Sequence, residues 1–170
     1  MRFTYLFVTL IIFVVAQISL RAIGINFPLL PLLIFYAAYT YGPLFGFGLV
    51  IPAAFLLDFN CGWSHPWSIF GFLLVAGFAV FWIQRIESDS LLLLAIPGFL
   101  IPIIGDFPQN LFAGGFSGDN ILNSGADALA NGVLGAVLFP FWIIILDFFG
   151  KRLGLKTYGE AKERIKKENL

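Results

Sequence analysis

Charge is scarce in this chain. Only 12% of its 170 residues are Asp, Glu, Lys or Arg, about half the share of an ordinary soluble domain. A soluble fold this poor in charge and this rich in apolar residues (59%, with 21 Phe) could not cover its own surface. Cysteine occurs once, at Cys61, which excludes an internal disulfide and any cysteine-based metal site. Histidine also occurs once, at His65, so no set of His and Cys ligands can converge on a metal. The arginines outside the C-terminal stretch are three, Arg2, Arg21 and Arg85, on three different segments. That is too few to hold a phosphate for transfer chemistry. Ser64 and His65 are neighbours in a loop, a poor geometry for a serine nucleophile and its base. These absences leave no enzyme constellation, no cofactor site and no nucleic-acid interface.

What the chain has is long apolar runs. A membrane-crossing helix needs about 20 apolar residues. Six runs approach that length, at about 3–20, 27–41, 44–59, 67–83, 91–104 and 128–149. The fold class is therefore all-α, a polytopic membrane helix bundle of about six transmembrane helices over 1–150, followed by a basic cytoplasmic tail at 151–170. The first run follows Arg2 and lacks a small-x-small cleavage site, so it reads as an uncleaved anchor rather than a signal peptide. Gly42-Pro43 marks a turn, and 60–66 a polar turn. The stretch 84–90 is a charged loop, and the Gly-, Asn- and Asp-rich stretch 105–127 reads as a connection. Gly150 suits the position just past the last helix, with Lys151 and Arg152 complementing its dipole. The tryptophans Trp63, Trp67, Trp82 and Trp142 fit interfacial aromatic belts, Trp142 lying deepest.

Basic residues set the orientation. With both termini inside, nine of the ten, namely Arg2, Arg85 and seven after Gly150, lie on the cytoplasmic side, and only Arg21 lies outside. A re-entrant hairpin around Gly42-Pro43 would give four crossings and the same charge score. The tail reads as a solvated segment beside anionic headgroups, with Glu160–Arg164 and Glu163–Lys167 spaced as i, i+4 pairs.

The informative patterns are packing patterns. Gly42, Gly46, Ala54 and Asp58 fall in one i, i+4 row with Val50 between them. Ala128, Gly132 and Ala136 form another that continues to Pro140, with Asn131 and Gly135 beside it. Small residues let helices approach closely in lipid, so both rows mark contact, within the bundle or with a partner's helix. Asp58 either reaches interfacial water, caps the turn after its helix, or marks a polar cavity. Asp106 stands in a Gly- and Pro-broken segment with Gln109 and Asn110. Gln17 is placed to hydrogen-bond across helices.

Three stretches carry a family resemblance. They are Phe27-Pro28 with the run ending Tyr36-Ala37-Ala38-Tyr39; Gly42-Pro43-Leu44-Phe45-Gly46-Phe47-Gly48 with Leu57-Asp58 and Gly62; and Ala130-Asn131-Gly132-Val133-Leu134 with Phe139-Pro140-Phe141-Trp142 and Lys151-Arg152. The chain thereby resembles the rod shape-determining protein MreD family. The resemblance implies a non-enzymatic inner-membrane scaffold of the bacterial cell-wall elongation complex. It implies a bitopic MreC-like partner and, through it, the actin-like MreB and the wall-building pair of RodA and a penicillin-binding transpeptidase. It also implies a fold like the six-helix substrate-binding subunits of energy-coupling vitamin transporters. The alternative is such a transporter subunit, binding a small molecule near Asp58 and the segment 105–110.

Overall fold

The apolar runs become six helices joined by short links, in a computed structural model that describes residues 1–24, 27–62, 65–85, 91–161 and 163. They are α1 (Arg2–Ala22), α2 (Leu29–Tyr41), α3 (Pro43–Asn60), α4 (Ser68–Arg85), α5 (Ala95–Gly114, entered through a 3-10 turn at Leu91–Leu94) and α6 (Gly118–Arg152). Every element among the described residues is helical. Three of them, α1, α3 and α6, are long and apolar enough to cross a membrane. The interfacial placement of Trp63, Ser64 beside His65, the loop charges Glu87 and Asp89, and the partners Arg164 and Lys167 of the tail pairs fall outside the described residues.

At the centre stands α2, all thirteen of whose residues are buried. Its sequence has no polar face, which suits enclosure on every side. It is wrapped by α1, α3, α4 and α5. Gln17 of α1 reaches across to its start, where Oε1 accepts the Leu30 N–H at 3.0 Å. This serves one of the orphan N–H donors in the first turn of that helix. At the far end Gly42 takes φ +110°, and Pro43 begins α3 at once.

Close packing rests on glycine. Gly46 of α3 lies against Ala38 of α2, so near that an added Cβ would stand 2.5 Å from the alanine methyl. Gly71 of α4 lies against the Gly105 backbone of α5. Between α5 and α6, Gly98 and Gly135 meet backbone to backbone, and Gly132 lies on the Phe99 carbonyl. The Gly98 carbonyl is the one that Pro102, lacking an N–H, leaves without its usual helical donor. It lies against Gly135, where no side chain obstructs it.

The expected connection at 105–127 is mostly helix. Helix α5 runs on to Gly114, α6 begins at Gly118, and only 115–117 link them. Low helix propensity here is outweighed by packing and capping. Ser117 Oγ accepts the Asn120 N–H at 3.3 Å, and Asp119 sits in the first turn of α6. At the other end the helix passes Gly150 and stops at Arg152. The terminating glycine is Gly154, at φ +66°, with Gly154 N–H to Lys151 and Leu155 N–H to Gly150 completing a Schellman motif. Gly150 has another use: the hydroxyls of Tyr5, Tyr36 and Tyr41 lie about 4 Å from where its Cβ would be.

The start of the tail folds back rather than standing in solvent. Tyr158 and Ala161 are buried, and the Tyr158 ring stacks on Tyr39 at 4.0 Å. Burial, with Tyr39 beside it, pushes the Tyr158 phenol well above its ordinary range. Trp82 also departs from the belt pattern: it is buried beside Phe78.

Candidate functional site

The ends of the helices fix the geometry. Tyr5, near the start of α1, donates to the Leu146 carbonyl near the end of α6 at 2.9 Å. Phe13 meets Trp142 at 5.3 Å, and Gln17 with Arg21 faces the first half of α6. Helices α1 and α6 thus run antiparallel along a common seam.

The seam differs at its two ends. Towards the termini it is an apolar groove of about 460 Å3, lined on α1 by Tyr5, Val8, Thr9, Ile12 and Phe13, and on α6 by Trp142, Ile145, Leu146 and Phe149. Towards the far end it opens into a polar cleft of about 430 Å3, closed at the back by α5. Gln17, Arg21 and Pro28 form one wall, and Asp106, Gln109, Asn110 and Gly114 the floor. Asn120, Asn123, Ser124, Asp127 and Asn131 of α6 form the other wall.

Several of these polar groups also hold the fold together. Asn131 Nδ2 donates to Asp106 Oδ2 at 3.2 Å, tying α6 to α5. Asn120 donates to the Gly115 carbonyl at 2.6 Å and holds the turn between them. Ser124 donates to Asn120 at 3.4 Å, one turn along α6. Arg21 leans from the last turn of α1 and donates to Cys61 Sγ at 3.0 Å. The cleft combines charges of both signs with amides, so it can bind a polar guest by charge and hydrogen bonding. Among the described residues, no group of three His, Cys, Asp or Glu is placed to hold a metal ion.

The structure separates residues that the sequence grouped. Asp106 and Asn131 meet in the cleft. Asp58 lies elsewhere, buried: it accepts the Ser68 N–H at 2.9 Å and the Ser68 hydroxyl, and so caps the start of α4. It neither caps the turn at 60–62 nor lines a cavity with Asp106. Ala54 and Gly46 are buried on the face of α3 that includes the Gly46 contact with α2, and Gly42 is the half-buried hinge between the two. Ala128 and Gly132 are buried, but Ala136 is only half-buried, because the buried stripe of α6 shifts to Gly135 and Phe139. Arg21, Asp127, Asn120 and Asn123 belong to the cleft and were not singled out from sequence. Arg21 did carry a signal, as the one basic residue that the sequence puts outside when both termini are inside.

No family model matches the chain, and no curated protein or solved structure matches it either.

Proposed function

We propose that the chain is a non-enzymatic scaffold of the bacterial cell-wall elongation complex in the inner membrane. Its six helices each cross, both termini are cytoplasmic, and the seam between α1 and α6 seats the single transmembrane helix of an MreC-like bitopic partner. The observation that carries this reading is the apolar groove along that seam. The rows Gly42, Gly46, Ala54 and Ala128, Gly132 are largely taken up inside the bundle, which directs a partner to the seam instead. A groove of this kind gains by close van der Waals packing, the main drive for helix association in lipid. The alternating course of the helices and the family resemblance at Asn131-Gly132 and Gly42-Pro43 support the same reading.

At 13 residues α2 is about 20 Å long, short of a bilayer's roughly 30 Å core. It is enclosed by protein, so its ends need not match the lipid.

Purification from its native membrane in mild detergent tests the scaffold reading. A stoichiometric single-pass protein of the elongation complex should accompany the chain. A chain that emerges alone, under conditions that keep other membrane complexes whole, contradicts it.

The polar cleft favours a second reading, a small-molecule-binding membrane subunit of a transporter. It requires thermal stabilisation by a member of a vitamin and metabolite panel. No shift with any member contradicts it.

A further inference from the structure

The polar cleft holds charges of both signs with donors and acceptors left unused. Arg21 spends one donor on a thiol, a weak acceptor, and makes no other hydrogen bond among the described residues. Asp106 uses Oδ2 for Asn131, which leaves Oδ1 without a donor. Asp127 makes no hydrogen bond among the described residues. One guanidinium against two carboxylates gives the charged lining a formal balance of −1. A simple anion would satisfy Arg21 and be repelled by both acids. A simple cation would satisfy the acids and leave Arg21 unserved. A zwitterion meets both needs, its ammonium on Asp106 and Asp127 and its anionic oxygens on the guanidinium fork.

Depth narrows the chemistry. The apolar run of α1 ends at Leu20, immediately before Arg21. The apolar run of α6 starts at Ala128, immediately after Asp127, and Asp106 and Asn131 lie about one turn deeper. With these runs in the bilayer, the cleft lies where hydrocarbon gives way to headgroups. Leu122 and Leu129, on the outer face of α6 at this level, are exposed as a lipid-facing surface would be.

We propose that the cleft is a binding site for a primary ammonium joined to a phosphate, the headgroup chemistry of phosphatidylethanolamine, either on the lipid or as the free zwitterion. Arg21 takes the phosphate, and Asp106 with Asp127 takes the ammonium. This proposal rests on the cleft and on its depth in the membrane; it does not depend on the scaffold reading, and it competes with the transporter reading for the same cleft.

Thermal unfolding of the full chain in detergent tests it, with four additives: phosphatidylethanolamine, phosphatidylcholine, phosphatidylglycerol and free O-phosphoethanolamine. Phosphatidylcholine keeps the phosphate but has no N–H donors, and phosphatidylglycerol has no cation. At saturation, phosphatidylethanolamine should raise Tm by about 5 °C more than either of the other lipids. Asp106→Asn should remove at least half of that difference. Asp127→Asn, at an exposed position that holds nothing else in the fold, should reduce it as well. A rise with O-phosphoethanolamine identifies a soluble ligand, and a rise with the lipid alone identifies the headgroup in place. Equal rises with phosphatidylcholine or phosphatidylglycerol, the full difference retained in both variants, or no rise with either ethanolamine compound, would overturn the assignment.

Discussion

The Tyr36 hydroxyl donates to Asp147 Oδ1 at 2.8 Å, joining the enclosed helix α2 to the last turns of α6 across 111 positions of sequence. The same carboxylate accepts the Tyr158 N–H on both oxygens, at 2.9 and 3.0 Å. One side chain thus ties the central helix, the longest helix and the returning tail.

Loss of this clasp should release the tail. Asp147→Asn is expected to cost about 2 kcal/mol, the scale of a hydrogen bond to a charged group. Tyr158→Ala removes the stack on Tyr39 and should expose Lys156 to trypsin. The check is the cleavage rate after Lys156 beside Tm. Both variants should be cut faster than the parent, and Tyr158→Phe, which keeps the ring and the N–H, should not.

Glycine substitutions should divide sharply by position. A Cβ on Gly98 or Gly135 would overlap the facing backbone, so Gly135→Ala and Gly98→Ala should each lose about 1–3 kcal/mol by overpacking. Gly48 and Gly77 face open space, and Gly48→Ala and Gly77→Ala should be neutral or slightly stabilising. Unfolding in detergent compares the four. Equal losses would mean that α5 and α6 do not meet as described.

Asp58→Ala should destabilise by about 2 kcal/mol, since it removes a cap and leaves two buried donors of Ser68 without acceptors. Ser68→Ala removes one donor and keeps the backbone bond, so its loss should be smaller, about 1 kcal/mol. Thermal unfolding of both variants gives the ratio. A functional acid that lined a cleft would show the reverse pattern, stable on removal and defective in binding.

Six crossings require alternate turns to face opposite sides. Cysteines introduced at Leu44 and Leu153, in a Cys61→Ser background, should react with an impermeant maleimide from the cytoplasmic side. Those at Ile23 and Phe59 should react from the other. All four positions are exposed. Labelling of Leu44 and Phe59 from one side would indicate a re-entrant hairpin.

The helices were legible because apolar runs of this length have few alternatives, and α2 through α4 fall within two residues of the runs read from sequence. The second half of α5 was not. Asn110, Gly114 and Gly115 look like loop, and what makes residues 105–114 helical is contact between α5 and its neighbours at glycines such as Gly105. The row Ala128, Gly132, Ala136 follows a strict four-residue step, which advances about 40° past a full helical turn each time. It drifts off the buried face by Ala136, and the stripe continues through Gly135. Asp106 and Asn131 each stand out in the sequence as polar residues in or beside apolar runs. Their meeting, and the approach of Arg21, depend on how three helices splay, which no local pattern encodes. Gly150 reads as the stop for α6 in sequence, whereas the bonds from Gly154 and Leu155 make the terminating glycine the one four residues later.

The most direct measurement is site-specific photocrosslinking in living cells that express the elongation complex. A photoreactive residue at Ile12 or Ile145, on the two walls of the seam, should capture the bitopic MreC-like protein. The same residue at Phe55, exposed on α3, should capture none of it. Equal capture at Phe55, or no capture from either wall of the seam, would contradict a partner helix seated between α1 and α6.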